Sequence, residues 1–256
     1  MRKKFCTIIT VAFMTLLLVS VGAISCVSAQ GSERTSWGTV VIPTIDGEWS
    51  PVDEWTDGGD VNTIGEDVSF TSTWEFGDVV TTRWLVEFLS DTTDDAEDYW
   101  EFCMDGMADG GSAPSAGDYK FVITGHTDLV WYEGDGTGWV EVEYDESEIE
   151  WANALSSSPT DSTEHWVLEF NIPKNAGTVQ LTIVWNLRLA VYDASNPDAG
   201  ELAWPEGSDA DDPSTYGIEN YTMDTVPEGL SLGVLVLLSS AAVIGATVVL
   251  RKRSKN

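Results

Sequence analysis

The sequence predicts an all-β protein, an antiparallel β-sandwich followed by one C-terminal transmembrane helix. Three observations carry that expectation. Runs such as Val68–Phe76 and Val80–Phe88 alternate apolar with polar side chains, the period-two pattern of a half-buried strand. No helical period of useful length occurs between residues 37 and 192. Finally, Gly229–Leu250 holds no charged residue over a length that spans a bilayer as a helix, and Arg251-Lys-Arg-Ser-Lys255 follows at once.

Taken in order, the chain opens with a basic Met1–Phe5, an apolar Thr7–Ile24 and Val27-Ser-Ala29 before Gln30, the pattern of a secretory signal over 1–29. The sandwich is expected over 37–204. Its strands are Trp37–Ile42, Val68–Phe76, Val80–Phe88, Asp98–Asp105, Asp118–Gly125, Leu129–Tyr132, Trp139–Tyr144, Glu164–Ile172 and Val179–Tyr192. Glu148–Leu155 suits either a helical turn or a strand. Asp98–Asp105 is apolar on both faces, as befits a strand in the middle of a sheet. Many short strands with Gly-rich turns between them give the sandwich. Residues 205–228, rich in Asp, Ser, Pro and Glu, are predicted to be a stalk, with an Asn220-Tyr-Thr222 glycosylation sequon in it. The basic tail, 251–256, is expected to stay cytoplasmic, which makes the protein single-pass and puts 30–228 outside the cell.

Charge narrows the partners. All 43 acidic residues fall within 30–228, against five basic ones there (Arg34, Arg83, Lys120, Lys174 and Arg188), so this portion carries −38. Such a field repels nucleic acid and acidic polymers, and it is compatible with neutral sugars, divalent cations or a hydrated acidic surface. Cys103 is the only cysteine beyond the signal, so no disulfide forms within the mature chain, and it is expected to be a small buried apolar residue. Neither histidine, His126 nor His165, has a metal-ligand spacing, and no nucleophile elbow or phosphate-binding loop occurs. Glu169 and Asp98 are the one carboxylate pair worth weighing for catalysis. The sequence reads as a binding module rather than an enzyme.

Several stretches together resemble the family 9 carbohydrate-binding-module-like domains of the DOMON superfamily. Ile45-Asp-Gly-Glu-Trp49 resembles the family's opening Ile-Asp-Gly turn, and Asp98-Tyr-Trp-Glu-Phe-Cys-Met-Asp105 its central strand. Asp118-Tyr-Lys-Phe121, Trp166-Val-Leu-Glu-Phe-Asn-Ile-Pro173, Leu189-Ala-Val-Tyr-Asp193, Trp204-Pro205 and Tyr216-Gly217 follow in the family's order. The resemblance covers about 37–217. It departs from the pattern in an aspartate-rich insertion at 207–213 and at Tyr216, where the family usually has Trp. It implies a β-sandwich of immunoglobulin-like or jelly-roll type that binds sugars, with structural calcium in some members and haem in some relatives. Separately, Val226-Pro-Glu-Gly229 before the apolar segment resembles archaeal C-terminal sorting and anchoring signals, whose third position is usually Phe.

With that resemblance, the tryptophans beside Gly/Asp-rich loops become candidates for stacking a sugar ring: Trp131, Trp139 and Trp204. Each could equally plug an end of the sandwich, whereas Trp74, Trp84, Trp100 and Trp166 are expected in the core. Clusters of hard oxygen donors at Asp57–Asn62, at Asp91–Glu97 and at Asp193, Asn196 and Asp198 are candidate calcium ligands. Three functions stay open: a surface-anchored module for carbohydrate or another cell-envelope polymer, a haem binder using Met104, Met107 and His126, and a structural spacer without a small ligand.

Overall fold

The computed structural model describes residues 32–222, except 40, 50–53, 57, 76–79, 145–148 and 175–178. The expected signal peptide, membrane helix and basic tail lie outside the described residues. Among the described residues no helix is long and apolar enough to cross a membrane.

The strands are β1 (Glu33–Gly38), β2 (Asn62–Ile64), β3 (Val68–Glu75), β4 (Val80–Phe88), β5 (Tyr99–Asp105), β6 (Asp118–Thr124), β7 (Asp128–Gly134), β8 (Trp139–Val142), β9 (Glu150–Ser156), β10 (His165–Lys174), β11 (Val184–Tyr192), β12 (Leu202–Trp204) and β13 (Gly217–Thr222). A single 3-10 turn, Pro213–Thr215, precedes β13. The alternating runs therefore form the strands they predict, and the undecided stretch around 150 is a strand.

The all-β expectation holds, but two separate antiparallel sheets do not form. The strands make one continuous sheet in the order β8-β7-β6-β5-β11-β13-β1-β3-β4-β10-β9, with β12 on β11 and β2 on β3. The join is parallel: β1 pairs parallel with β13 on one side and with β3 on the other. The sheet curls so that its two halves face each other. Phe102 on β5 meets Phe170 on β10 edge-on at 4.3 Å, and Trp84 on β4 at 6.2 Å. Phe121 on β6 meets Phe170 at 5.0 Å. These contacts cross from one half to the other, and each ring removed from water in this way contributes about 1.5–3 kcal/mol.

Arg34 and Glu219 sit at the join, both fully buried. Arg34 Nη1 donates to Glu219 Oε2 and to Ser72 Oγ, each at 2.7 Å. Its Nε donates to Asn62 Oδ1 and its Nη2 to the Asp60 carbonyl, each at 2.9 Å. The guanidinium also lies over the rings of Phe70 and Trp84, at 5.2 and 4.8 Å. A buried charge satisfied on this many sides is tolerated where a bare one is not.

The expected stalk needs correcting. Residues 205–222 belong to the folded domain, because β13 pairs with β11 and with β1 and carries Glu219 into the interior. Gly217 is what lets β13 pass beneath Trp204, since a Cβ there would lie 2.4 Å from the indole. Asn220, placed by the sequence in an accessible stalk, instead lies within β13, and its Nδ2 donates to Glu33 Oε1 at 2.7 Å.

A strap crosses the outer face of β4 and β10. Glu169 Oε2 accepts from the backbone N–H groups of Asp46 and Gly47, both at 2.9 Å, and Oε1 accepts from Trp55 Nε1 at 2.7 Å. Trp55 packs there on Leu85 and Val167, with Trp49 alongside. Gly47 is required at the strap's turn: its φ is +81°, and a Cβ would lie 2.7 Å from the backbone of Asn153.

Burial pushes the Glu169 carboxyl up to about 7, its three donors only partly opposing this. Burial likewise raises Asp118 to about 6. The folded state therefore binds these two protons more tightly than the unfolded chain, whose carboxyls keep their ordinary values of 4.5 and 3.8. The stability they supply is complete below those values and is lost as pH rises through the folded ones. Melting temperature should thus fall between about pH 4 and pH 7. Glu169→Gln should lessen that slope whatever it does to the absolute level. A melting temperature that rises steadily over this window would contradict the assignment.

Candidate functional site

The sheet's outer surface over β5, β6, β7, β8 and β11 is built differently from its core face. Registration sets Arg188 opposite Cys103, Cys103 opposite Lys120, Lys120 opposite Tyr132 and Tyr132 opposite Glu141. Because directly opposed residues share a face, these five side chains form one row across five strands. Trp139 lies two residues from Glu141 on β8 and so projects from the same face. Glu101, Tyr99 and Tyr192 continue the surface towards the other end of β5 and β11.

The row is tied together by charge. Arg188, 2% exposed, pairs through Nη1 with Glu101 Oε1 and through Nη2 with Glu201 Oε1. Its Nε donates to the Ser208 carbonyl at 3.2 Å. Lys120 Nζ lies 3.9 Å from Glu101 Oε2 and also over the rings of Tyr132 and Trp139, at 4.9 and 5.2 Å. Tyr99 donates to Glu201 Oε2 at 2.7 Å and stacks on Tyr192 with centroids 5.5 Å apart. Burial raises the Glu101 carboxyl, while Arg188 and Lys120 pull it down. Burial, and then the Glu201 carboxylate, raise the Tyr99 hydroxyl, which stays protonated and able to donate. Beneath them Cys103 is a buried free thiol, pushed further from ionisation by that burial.

The aspartate-rich insertion, 207–213, closes one side of this surface. Trp139 Nε1 donates to the Ala210 carbonyl at 3.1 Å, and Tyr216 Oη to the same oxygen at 2.6 Å. The first bond ties the Trp139 ring, which stays partly exposed, to the insertion, and the second holds the insertion against Tyr216. A half-exposed indole, a neighbouring phenol, and fixed ammonium and carboxylate groups together offer an apolar platform ringed by hydrogen-bond donors and acceptors.

The other two candidate tryptophans are not available for stacking. Trp131 is 1% exposed, because its register partner is Phe121, on whose ring it stacks at 5.5 Å with a 4° tilt. Trp204 is buried as well, edge-on to Phe70 at 5.6 Å. Trp74, Trp84, Trp100 and Trp166 are buried as expected. A separate hollow of about 460 Å³ opens beside the strap, lined by Trp37, Trp49 and Trp55 with Asp60 and Thr71. No sequence pattern singles it out, because its lining is gathered from Trp37, the strap, β3, β4 and Thr160, segments dispersed along the chain.

The remaining candidates scatter. Met104 and His126 stand at opposite ends of the β5–β6 ladder, whose pairs run from Asp105↔Asp118 to Tyr99↔Thr124. That separation is roughly 15–20 Å at ~3.4 Å per residue. Met107 is exposed, Met104 buried in the core, and His126 stacked on Trp166 at 3.5 Å, so the structure gathers no pair of haem ligands from these three. Glu169 and Asp98 do not pair as catalytic carboxylates: Glu169 holds the strap, and Asp98 accepts from Asp95 N, Ala194 N and His126. Of the calcium candidates, Asn196 and Asp198 are exposed on the loop after β11, whereas Asp193 is buried and shares a group with Asp95 and Asp98.

Removing Trp131 should cost about 3–5 kcal/mol of stability in urea unfolding, the range for a fully buried Trp→Ala change. Trp139→Ala should cost less than about half of that, since its ring is partly solvated. Equal losses would remove Trp139 from the list of accessible rings.

No family model matches the chain, and no curated protein does. Among solved structures it is similar to a family 9 carbohydrate binding module from Caldicellulosiruptor kristjanssonii in complex with cellotriose. The two are 14% identical over 74% of this chain and 94% of that one, with a TM-score of 0.46. The same module in complex with glucose gives 14% identity, 74% and 96% coverage, and a TM-score of 0.46. A protein from Bacteroides uniformis described as carbohydrate-binding gives 14% identity, 75% and 100% coverage, and a TM-score of 0.46.

Proposed function

We propose that this chain is a non-catalytic module that binds a neutral saccharide on the outer face of β5–β8 and β11, and that it is anchored at the cell surface by its 229–250 segment. The observation that carries the binding site is Trp139. Its indole is fixed by the Ala210 carbonyl and stays partly exposed, with the Lys120 ammonium over one face of it at 5.2 Å and over the Tyr132 ring at 4.9 Å. A pyranose presents an apolar face of C–H groups and a rim of hydroxyls. The ring of Trp139 suits the first; Glu101, Glu201, Lys120 and Tyr99 offer donors and acceptors to the second.

Charge selects neutral ligands. A chain of net charge −31 disfavours a uronic acid or sulfated polymer, each of whose anionic groups would enter a negative field. The resemblance of the sequence to sugar-binding domains supports the same reading, and the secretory and membrane-spanning patterns of the termini support a surface location.

Calorimetric titration of the chain with a panel of neutral hexose oligosaccharides tests this. At least one should bind with a millimolar or tighter Kd, and Trp139→Ala should weaken it about tenfold or more, or ~1.4 kcal/mol. Trp49→Ala, in the separate hollow beside the strap, should leave that affinity unchanged, and polygalacturonate should not bind at low salt. If no neutral glycan binds at millimolar concentration, the protein is better read as a spacer. If binding survives Trp139→Ala and is lost in Trp49→Ala, the ligand sits in the hollow instead.

A further inference from the structure

The hollow beside the strap lies on the outer face of β1, β3 and β4, in the other half of the sheet from Trp139. Register builds its floor. Ser69 opposes Glu87 and Thr71 opposes Leu85, so these four side chains share the face turned away from Phe70 and Trp84. Trp37 stands on the same side of β1, opposite Thr73. Trp49, Trp55 and the run Gly58-Gly59-Asp60 complete the wall. Trp55 is held in place by its bond to Glu169 and by its packing on Leu85 and Val167.

Three indoles and two acids thus line about 460 Å³, and no Lys or Arg is among the described residues that line it. Elsewhere the chain covers its rings with its own cations. Lys120 lies over Tyr132 and Trp139, and Arg34 over Phe70 and Trp84. Among the described residues no cation of the protein stands over Trp37, Trp49 or Trp55. The acids of the hollow are already engaged. Glu87, 1% exposed, accepts from Thr160 Oγ1 on Oε2 at 3.1 Å and meets His165 Nε2 through Oε1 at 3.3 Å. Asp60 Oδ2 accepts from Thr35 N at 2.9 Å. His165 Nδ1 is bonded to the Thr163 carbonyl at 2.9 Å, so a proton on Nε2 points at Glu87 and offsets part of its charge. Asp60 is left with the larger share of the negative potential.

We propose that this hollow binds an organic cation whose charge is carried by a quaternary ammonium group. Such a group has no N–H to donate, so carboxylates whose oxygens are engaged still attract it fully. Its methyl groups spread the positive charge over a surface that suits the face of an indole. A saccharide or a primary ammonium would compete for acceptors that Thr160, His165 and Thr35 already use. A bare metal ion gains nothing from indoles, which offer it no ligand atom. The net charge of −31 draws cations towards the mouth. The volume falls within the roughly 300–1,000 Å³ of small-ligand sites, which leaves room for a short neutral tail beside the ammonium head. This site stands on its own observations and does not depend on the reading of the Trp139 surface.

The full chain is titrated calorimetrically with choline chloride, in sodium chloride concentrated enough to screen diffuse attraction to the acidic surface. Choline should bind at one molecule per chain with a millimolar or tighter Kd. Its uncharged carbon isostere, dimethylbutanol, should bind about tenfold more weakly or worse, or ~1.4 kcal/mol. Protonated ethanolamine has the same charge but N–H groups in place of methyls, and it should be weaker by a similar factor. Trp49→Ala should lower choline affinity about tenfold. Asp60→Asn keeps an acceptor for Thr35 N but removes the charge, and it should weaken choline severalfold, which carries the test if Trp49→Ala fails to fold. Trp139→Ala should leave choline binding unchanged. The proposal is overturned if choline does not bind at millimolar concentration, or if dimethylbutanol or ethanolamine binds as tightly. It is overturned as well if Asp60→Asn retains full affinity, or if Trp139→Ala abolishes choline binding.

Discussion

The buried pair of Arg34 and Glu219 is the constraint on which the fold turns. It links residues 185 positions apart in the sequence and sits where β1 is wedged between β13 and β3. The guanidinium spends its donors on a carboxylate, a hydroxyl, an amide oxygen and a backbone carbonyl, and its faces on two aromatic rings. Such a network specifies one arrangement, because a shift of β1 by one residue would turn Arg34 to the opposite face and strand Glu219 without a partner. Once β1 is fixed, β3 with β4 and β10 falls on one side, and β13 with β11 and β5 on the other. Everything described on the outer face of β5–β8 and β11 and at the acidic end of the sheet is positioned from there.

The two faces of the β5–β8 half then divide the work. Inward-facing Phe102, Phe121 and Trp131 stack on one another and against Phe170. Outward-facing Glu101, Lys120 and Tyr132 alternate with them residue by residue. The aromatic load of the chain is thus mostly structural, and the few rings left half-exposed stand beside fixed charges. The insertion at 207–213 completes that surface by offering backbone carbonyls to Arg188, Trp139 and Tyr216.

Most strands were legible because period-two alternation is a local signal, and β3, β4, β5, β6 and β10 lie where that pattern puts them. The parallel join was not. Thr35 and Asn220 are register partners, but nothing in either segment announces the other, and a run of Asp, Ser and Pro before β13 imitates a linker. The tryptophans divide for a similar reason. Trp131 and Trp139 both flank Gly/Asp turns, yet one opposes Phe121 on β6 and the other opposes Gly134 on β7. Trp131 points to the inner face, where Phe121 covers it, and Trp139 to the outer one, where it stays partly exposed. The acidic end of the sheet was half legible: Asp193 and the Asp91–Glu97 run drew notice separately, but their meeting with His126 depends on three segments finding each other in space.

The parallel pairing of β1 with β13 also sets how the folded domain bears load. The two strands run side by side from Glu33↔Ile218 to Trp37↔Thr222, so the start of one and the end of the other lie at opposite ends of the same ladder. Tension applied between the two ends of the described domain pulls these strands lengthwise past each other. Every ladder hydrogen bond, together with the Arg34–Glu219 pair, is then strained at once, in shear, instead of opening singly like a zipper. A domain tethered at one end and holding a polymer elsewhere would meet force with its strongest geometry along that line.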